Sequence, residues 1–193
     1  MIAGLLLAAG RSSRFGADKL LHQENGHPLA WFAAQPFLGL ERTVAVLPEG
    51  GHGLRALFTE LGIGVVEISG LPALSRSLQA GLEAAAQARG WIVGLADMPC
   101  VRPATVHALC DALDRGADIA ACRHAGRRGN PVGFSRDMRA ALLALDGDRG
   151  ARDLLEQRAS EVCWLDVDDP GILADVDVPE DLDRLRPSLS RPA

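Results

Sequence analysis

The sequence predicts an α/β layer fold built on a mostly parallel sheet. Three observations carry this. The chain opens on a short, fully apolar run, Ile2–Ala8, that ends at Gly10, as a parallel strand buried on both faces does. Apolar strand-like runs then alternate with helical segments almost to the end of the chain. Finally, 193 residues, 48% of them hydrophobic and 23% charged, suffice for one domain with a substantial core but not for two full-sized ones.

The elements follow in order. A helix is expected over Pro28–Leu38, with Pro36 kinking or ending it because proline removes a backbone donor. Thr43–Leu47 reads as a strand, Leu54–Leu61 as a helix, Val65–Ile68 as a strand and Ser75–Ala88 as a helix rich in Ala and Leu. Trp91–Leu95 is a strand, Pro103–Leu113 a helix with proline in its first turn, and Ile119–Cys122 a strand. The polar, Gly-containing stretch Arg123–Asn130 reads as a turn or hairpin leading into a strand over Pro131–Phe134. Ser135–Leu145 and Gly150–Gln157 are helical, Val162–Val167 is a strand and Pro179–Leu185 a last helix. Residues 1–185 make a single domain, and Arg186–Ala193, with two prolines and little apolar content, reads as a disordered tail.

Composition removes several classes of function. A formal net charge of -5 argues against a general nucleic-acid binder, since phosphate backbones recruit basic surfaces. Aromatics are 4% with no Tyr, too few for a base-stacking platform. No basic region precedes the apolar N-terminus as a signal peptide requires. No apolar run approaches the ~20 residues needed to span a bilayer. The expectation is a cytoplasmic protein without nucleic-acid or membrane partners. Cys100, Cys110, Cys122 and Cys163 form no CxxC pair and read as reduced thiols. The five histidines show no metal-binding spacing, and none is given a chemical role.

In such folds ligands sit beyond the carboxyl ends of the strands. The first strand runs into Leu7-Ala8-Ala9-Gly10-Arg11-Ser12-Ser13-Arg14-Phe15-Gly16-Ala17-Asp18-Lys19-Leu20. Small residues at 8, 9 and 10 let a ligand approach the backbone, whose N–H groups can cradle phosphate oxygens. Arg14 and Lys19 add positive charge where a triphosphate would lie. The loop is neither a Walker A motif nor a GxGxxG motif. An ordinary turn with surface Arg and Lys is the competing reading. The fourth strand ends Gly94-Leu95-Ala96-Asp97-Met98-Pro99 and puts a hard oxygen ligand for Mg²⁺ at the same sheet edge, unless Asp97 is a loop or cap residue.

These segments, Leu7-Ala8-Ala9-Gly10 through Lys19-Leu20 and Leu95-Ala96-Asp97-Met98-Pro99, resemble signatures of the MobA/MocA-like NTP transferases. So do Leu74–Leu82, Gly129–Phe134, Asp146–Arg152 and Asp175–Leu182, in the family's order from Ile2 to Leu185. The resemblance implies a three-layer α/β/α, Rossmann-like (GT-A-like) nucleotidyltransferase fold. It implies that Leu7, Ala8, Ala9, Gly10, Arg14, Lys19 and Ser77 bind the nucleotide. Lys19, Arg14 and Asp97 would be catalytic, with Asp97 and Asp177 holding Mg²⁺. For Asp177, capping of the last helix stays open, as capping does for Ser75, and Asp175 competes with Asp177 as the second ligand. The family's Gly-Lys-Pro-Leu reads Gly26-His27-Pro28-Leu29 here, so no role is carried onto His27.

On the acceptor side the resemblance points to Asn130, Pro131, Arg149 and Arg152. With Arg127 and Arg128, the two latter arginines would receive an anionic pterin phosphate, although each alone reads as a solvated surface residue. A solvated acidic stretch accounts for Asp166, Asp168 and Asp169. The implied reaction is transfer of CMP from CTP to the phosphate of molybdopterin, with release of pyrophosphate and a client molybdoenzyme as possible partner. The alternatives are another phosphorylated acceptor with GTP or UTP, and a non-enzymatic nucleotide-binding accessory protein.

Overall fold

The structure, a computed structural model, describes residues 1–10, 15, 18–70 and 73–189. Strand β1 spans Ile2–Leu7 and leads, past the first loop, to a small hairpin of β2 (Gln23–Glu24) and β3 (His27–Pro28). Helix α1 (Leu29–Ala34) follows and tightens into a 3₁₀ turn at Gln35–Phe37, where Pro36 breaks the α-helical ladder as expected. Then come β4 (Arg42–Pro48), α2 (His52–Glu60), β5 (Gly64–Ile68), α3 (Leu74–Ala84), β6 (Gly90–Leu95) and α4 (Pro103–Asp114). The chain closes with β7 (Ile119–His124), β8 (Arg127–Ser135), α5 (Arg139–Leu143), α6 (Arg152–Gln157), β9 (Val162–Asp166) and α7 (Pro179–Leu189).

Seven strands form one sheet in the order β5-β4-β1-β6-β8-β7-β9. Pairing is parallel except around β8, which runs antiparallel to both β6 and β7. The polar stretch 123–130 is the hairpin itself: β7 and β8 extend into it, and Ala125 and Gly126 turn the chain with φ of 49° and 75°.

The alternation of side chains along the strands creates two cores. Ile2, Leu6, Ala45, Leu47, Ile92 and Cys122 face one side, packed under Leu54 and Phe58 of α2 and Val106 and Leu109 of α4. Leu5, Leu7, Val46, Trp91, Val93 and Phe134 face the other, under Leu78 and Leu82 of α3, Leu142 of α5 and Leu154 of α6. Because both faces of the sheet are covered, β1 is buried at every position and reads as an uninterrupted apolar run. The fold is the α/β layer arrangement that the alternation predicts, in the three-layer, Rossmann-like form that the resemblance implies.

Three local expectations need correction. The segment 186–189 is helical, not a tail. Leu189 is buried in a third cluster with Phe15, Leu29, Val176 and Leu182, and Arg186 pairs with buried Glu24 at 3.0 Å. That pairing holds the Glu24 carboxyl below its usual range. Residues 190–193 lie outside the described residues. Ser75 is not a helix cap: Ala73 takes that position, and Ser75 sits inside α3 with 1% exposure. Asp169 is not part of a solvated acidic run, for it is 2% exposed and fully engaged in hydrogen bonds described below.

Candidate functional site

Parallel strands β1 and β6 lie side by side at the centre of the sheet, so their carboxyl ends open on the same edge. The chain leaves β1 as Ala8-Ala9-Gly10 and leaves β6 as Ala96-Asp97. Hydrogen bonds from Ala8 N–H to the Val46 carbonyl (2.9 Å) and from Ala96 N–H to the Leu7 carbonyl (3.0 Å) hold both exits in sheet register. Lys19 returns to this edge on a short 3₁₀ turn, Lys19–Leu21, capped by Asp18.

The Lys19 ammonium, 7% exposed, joins three acceptors. Nζ donates to Asp97 Oδ2 at 2.8 Å, to the Val176 carbonyl at 2.7 Å and to Asp177 Oδ1 at 3.3 Å. The Asp97 carbonyl in turn accepts the Val176 N–H at 2.9 Å, which ties the chain carrying Asp177 to the end of β6. Beyond it, Asp181 Oδ2 accepts the N–H groups of Asp177 and Val178 at 2.8 and 2.9 Å. Asp181 therefore closes the first turn of α7, and Asp177 projects toward Lys19.

A cavity of about 340 Å³ opens over this edge, within the size range of small-molecule sites. Leu7, Ala8, Ala9, Gly10, Lys19, Ser77 and Asp97 all line it, together with Leu74 and Asp148. The seven residues are thus brought together from β1, the first loop, α3 and β6. Ser77 donates its hydroxyl to the Ala73 carbonyl at 3.2 Å. Arg14 lies outside the described residues.

A second cavity, about 190 Å³, adjoins the first and shares Leu7, Leu74 and Leu95 with it. Arg128, Asn130, Arg149 and Arg152 line it over an apolar floor that includes Leu78, Val93 and Phe134. Burial, and then the positive charge of Arg152, lower the pKa of Arg128. Arg149 also pairs with Asp153 at 2.7 Å and Glu156 at 3.0 Å. Pro131 is buried in β8 and lines neither cavity, and Arg127 is exposed. Leu74 lies in a segment that resembles the family's but receives no role there, being an apolar residue between two pockets. The Val176 carbonyl, a backbone group, escapes a reading by motif.

Residues 4–162 match the MobA-like NTP transferase domain. The chain belongs to this family. The MobA-like chain is similar over nearly its whole length to Rv0371c from Mycobacterium tuberculosis H37Rv. The two share 30% identity at a TM-score of 0.85 over 96% of this chain and 97% of that one. A structure of Rv0371c in complex with manganese has 30% identity and a TM-score of 0.81 over 97% and 98% of the two chains. A nucleotidyl transferase from Methanothermobacter shares the fold, with 21% identity and a TM-score of 0.82 over 98% and 97%. No curated protein matches the chain.

Two carboxylates of this MobA-like domain are of the type that hold a divalent cation together with water or substrate oxygens. Among the described residues, no group of three or more His, Cys, Asp or Glu side chains could hold a metal by itself. Asp97 and Asp177 offer two carboxylates bridged by one ammonium, a donor set that Mg²⁺ or Mn²⁺ would complete with waters and phosphate oxygens.

The thiols stand apart from this chemistry. Burial pushes Cys100 and Cys110 up to about 11 and Cys122 up to about 12, from an ordinary value near 9. At neutral pH they are protonated and poor nucleophiles. Iodoacetamide at pH 7 is expected to leave activity intact, and loss of activity on modifying one of them would reveal a thiol in the reaction. The sign for stability follows. These groups stabilise the fold below pH 9, and that contribution fades as pH rises from 9 through the folded values, because the unfolded chain loses its protons first.

Proposed function

We propose that this nucleotidyltransferase moves CMP from CTP to the phosphate of molybdopterin or its metal-loaded form, releasing pyrophosphate. The observation that carries the reading is the pair of adjoining cavities. One is lined by the loop after β1, Lys19 and Asp97, the other by Arg128, Arg149 and Arg152 over an apolar floor, and they share a wall at Leu74. Two anionic substrates placed there would meet at the sheet edge.

The assignment of roles follows from chemistry. An acceptor phosphate oxygen attacks the α-phosphorus in line, and pyrophosphate leaves. The phosphate is already ionised at neutral pH, so neither a general base nor a covalent intermediate is needed. The N–H groups of Ala8, Ala9 and Gly10 would bind nucleotide phosphates, while Lys19 and Arg14 offset charge on the departing pyrophosphate. Asp97 and Asp177 would hold Mg²⁺, which when bound neutralises charge on the phosphate oxygens. Leu7 and Ser77 would border the nucleotide, and Asn130, Arg149 and Arg152 the acceptor, with Pro131 shaping that wall from within β8. The manganese complex of Rv0371c supports use of a divalent ion.

The protein would act as a single catalytic domain in the cytoplasm, with a molybdoenzyme as possible client. Free thiols at all four cysteines suit that reducing compartment. Among the described residues, no helix is long and apolar enough to cross a membrane.

The preference for CTP rests on Ala9. Guanylyl relatives typically carry glycine there; Ala9 lines the first cavity, and its methyl would narrow the room for a purine. One methyl shifts discrimination by about 1–3 kcal/mol, so CTP is expected to outcompete equimolar GTP by roughly 10-fold or more. Competition with the pterin acceptor, read as the ratio of CMP to GMP product, tests this. Preferential GMP transfer overturns the nucleotide, and turnover only with a sugar phosphate overturns the acceptor.

A further inference from the structure

The turn between β9 and the chain carrying Asp177 is built more tightly than a surface connection requires. Pro170–Leu173 form a 3₁₀ turn whose cap is Asp169. Both oxygens of this buried carboxylate are engaged. Oδ1 accepts the Gly171 N–H at 2.9 Å; Oδ2 accepts the Arg102 N–H at 2.9 Å and the Thr105 hydroxyl at 2.6 Å. Arg102 and Thr105 open α4, whose own cap residue supplies no side-chain hydrogen bond. Asp169 thus caps two elements at once.

The same turn is wedged between the two halves of the site. A methyl group on Gly171 would strike the carbonyl of Cys100, three residues beyond Asp97. One on Gly129 would strike the carbonyl of Ile172. Gly129 lines the arginine cavity. On one side the turn therefore touches the backbone that leaves Asp97, and on the other the wall of the second cavity. Four residues after it, Asp177 reaches Lys19. A cap needs only a neutral hydroxyl or amide. A buried carboxylate with three donors is a stronger and more directional anchor, formed at a desolvation cost that a simple turn does not require.

We propose that Asp169 is a positioning residue for the metal site. By fixing the turn at 170–173 against α4, it sets where Asp177 stands relative to Asp97, and how far both stand from the arginine cavity. This rests on the reading of Asp97 and Asp177 as metal ligands.

Mn²⁺ affinity of the full chain, measured by electron paramagnetic resonance without substrates and alongside a thermal melt, tests the anchor. In Asp169→Asn, an amide NH₂ replaces one accepting oxygen with little change in shape. Its Mn²⁺ affinity is expected to fall about 10-fold or more, the scale for losing a group that orients a ligand. Thr105→Val should weaken binding in the same direction, and Thr105→Ser, which keeps the hydroxyl, should restore it. Should Asp169→Asn fail to fold, the two Thr105 variants carry the test. A lowered melting temperature with Mn²⁺ affinity held within about two-fold would show a cap and nothing more, and would overturn the proposal. Asp97→Asn separates the two ideas. If it loses Mn²⁺ while Asp169→Asn and Thr105→Val do not, the anchor alone fails. If it also binds Mn²⁺ normally, the metal reading fails and takes the anchor with it.

Discussion

Asp97→Asn is expected to lower turnover by about 10²-fold or more while the protein stays folded. The substitution keeps the shape of the side chain and the backbone bond from Val176 N–H to the residue 97 carbonyl. It removes the charge that faces Lys19 at 2.8 Å and that would hold the cation. Asp97 is a quarter exposed, so its ion pair with Lys19 is partly screened and its contribution to stability is modest. Chemistry is another matter, because charge developing on the phosphates must be offset where water is scarce. Turnover measured across a Mg²⁺ titration, with a thermal melt as control, distinguishes the two effects. Wild-type turnover with unchanged metal dependence would exclude Asp97 as a ligand.

What the sequence made legible, and what it hid, follows from how far each interaction reaches along the chain. Ala8-Ala9-Gly10 and Asp97 are legible because each follows its own strand directly, so a local pattern of apolar run and polar exit fixes the edge on which they emerge. The strands themselves are legible because burial on both faces leaves continuous apolar runs. Asp169 is hidden for the opposite reason. It stands among Asp166 and Asp168 and looks like part of a solvated run, but its partners, Arg102 and Thr105, lie 67 and 64 residues away. The end of α7 is hidden likewise. Pro187 and a polar composition suggest a tail, and only the fold brings Glu24, 162 residues distant, to Arg186. The two carboxylates at Lys19 differ in the same way: Asp97 is marked by its strand, whereas Asp177, which only the family resemblance marks, is brought there by the bond from Val176 to Asp97.

Lys19→Ala is expected to affect stability and catalysis together, and the two can be told apart. The wild-type ammonium lies between Asp97 and Asp177 and also donates to the Val176 carbonyl. Alanine leaves two like charges facing each other and takes a donor from a buried carbonyl. Breaking a fully buried ion pair costs about 3–5 kcal/mol. Here the carboxylates are 25% and 51% exposed, so solvent screens them and a loss of about 1–3 kcal/mol is expected. A divalent cation can take over the missing charge. Mg²⁺ should therefore raise the melting temperature of Lys19→Ala more than that of the wild type, and no rise in the variant would show that the carboxylates do not share a cation site. The catalytic effect is separate. If Lys19 faces the leaving pyrophosphate, turnover falls by about 10²-fold. Affinity for CTP then drops more than affinity for CMP, which lacks the β and γ phosphates. Equal losses for CTP and CMP would mean that Lys19 orders the two carboxylates and does not touch the leaving group.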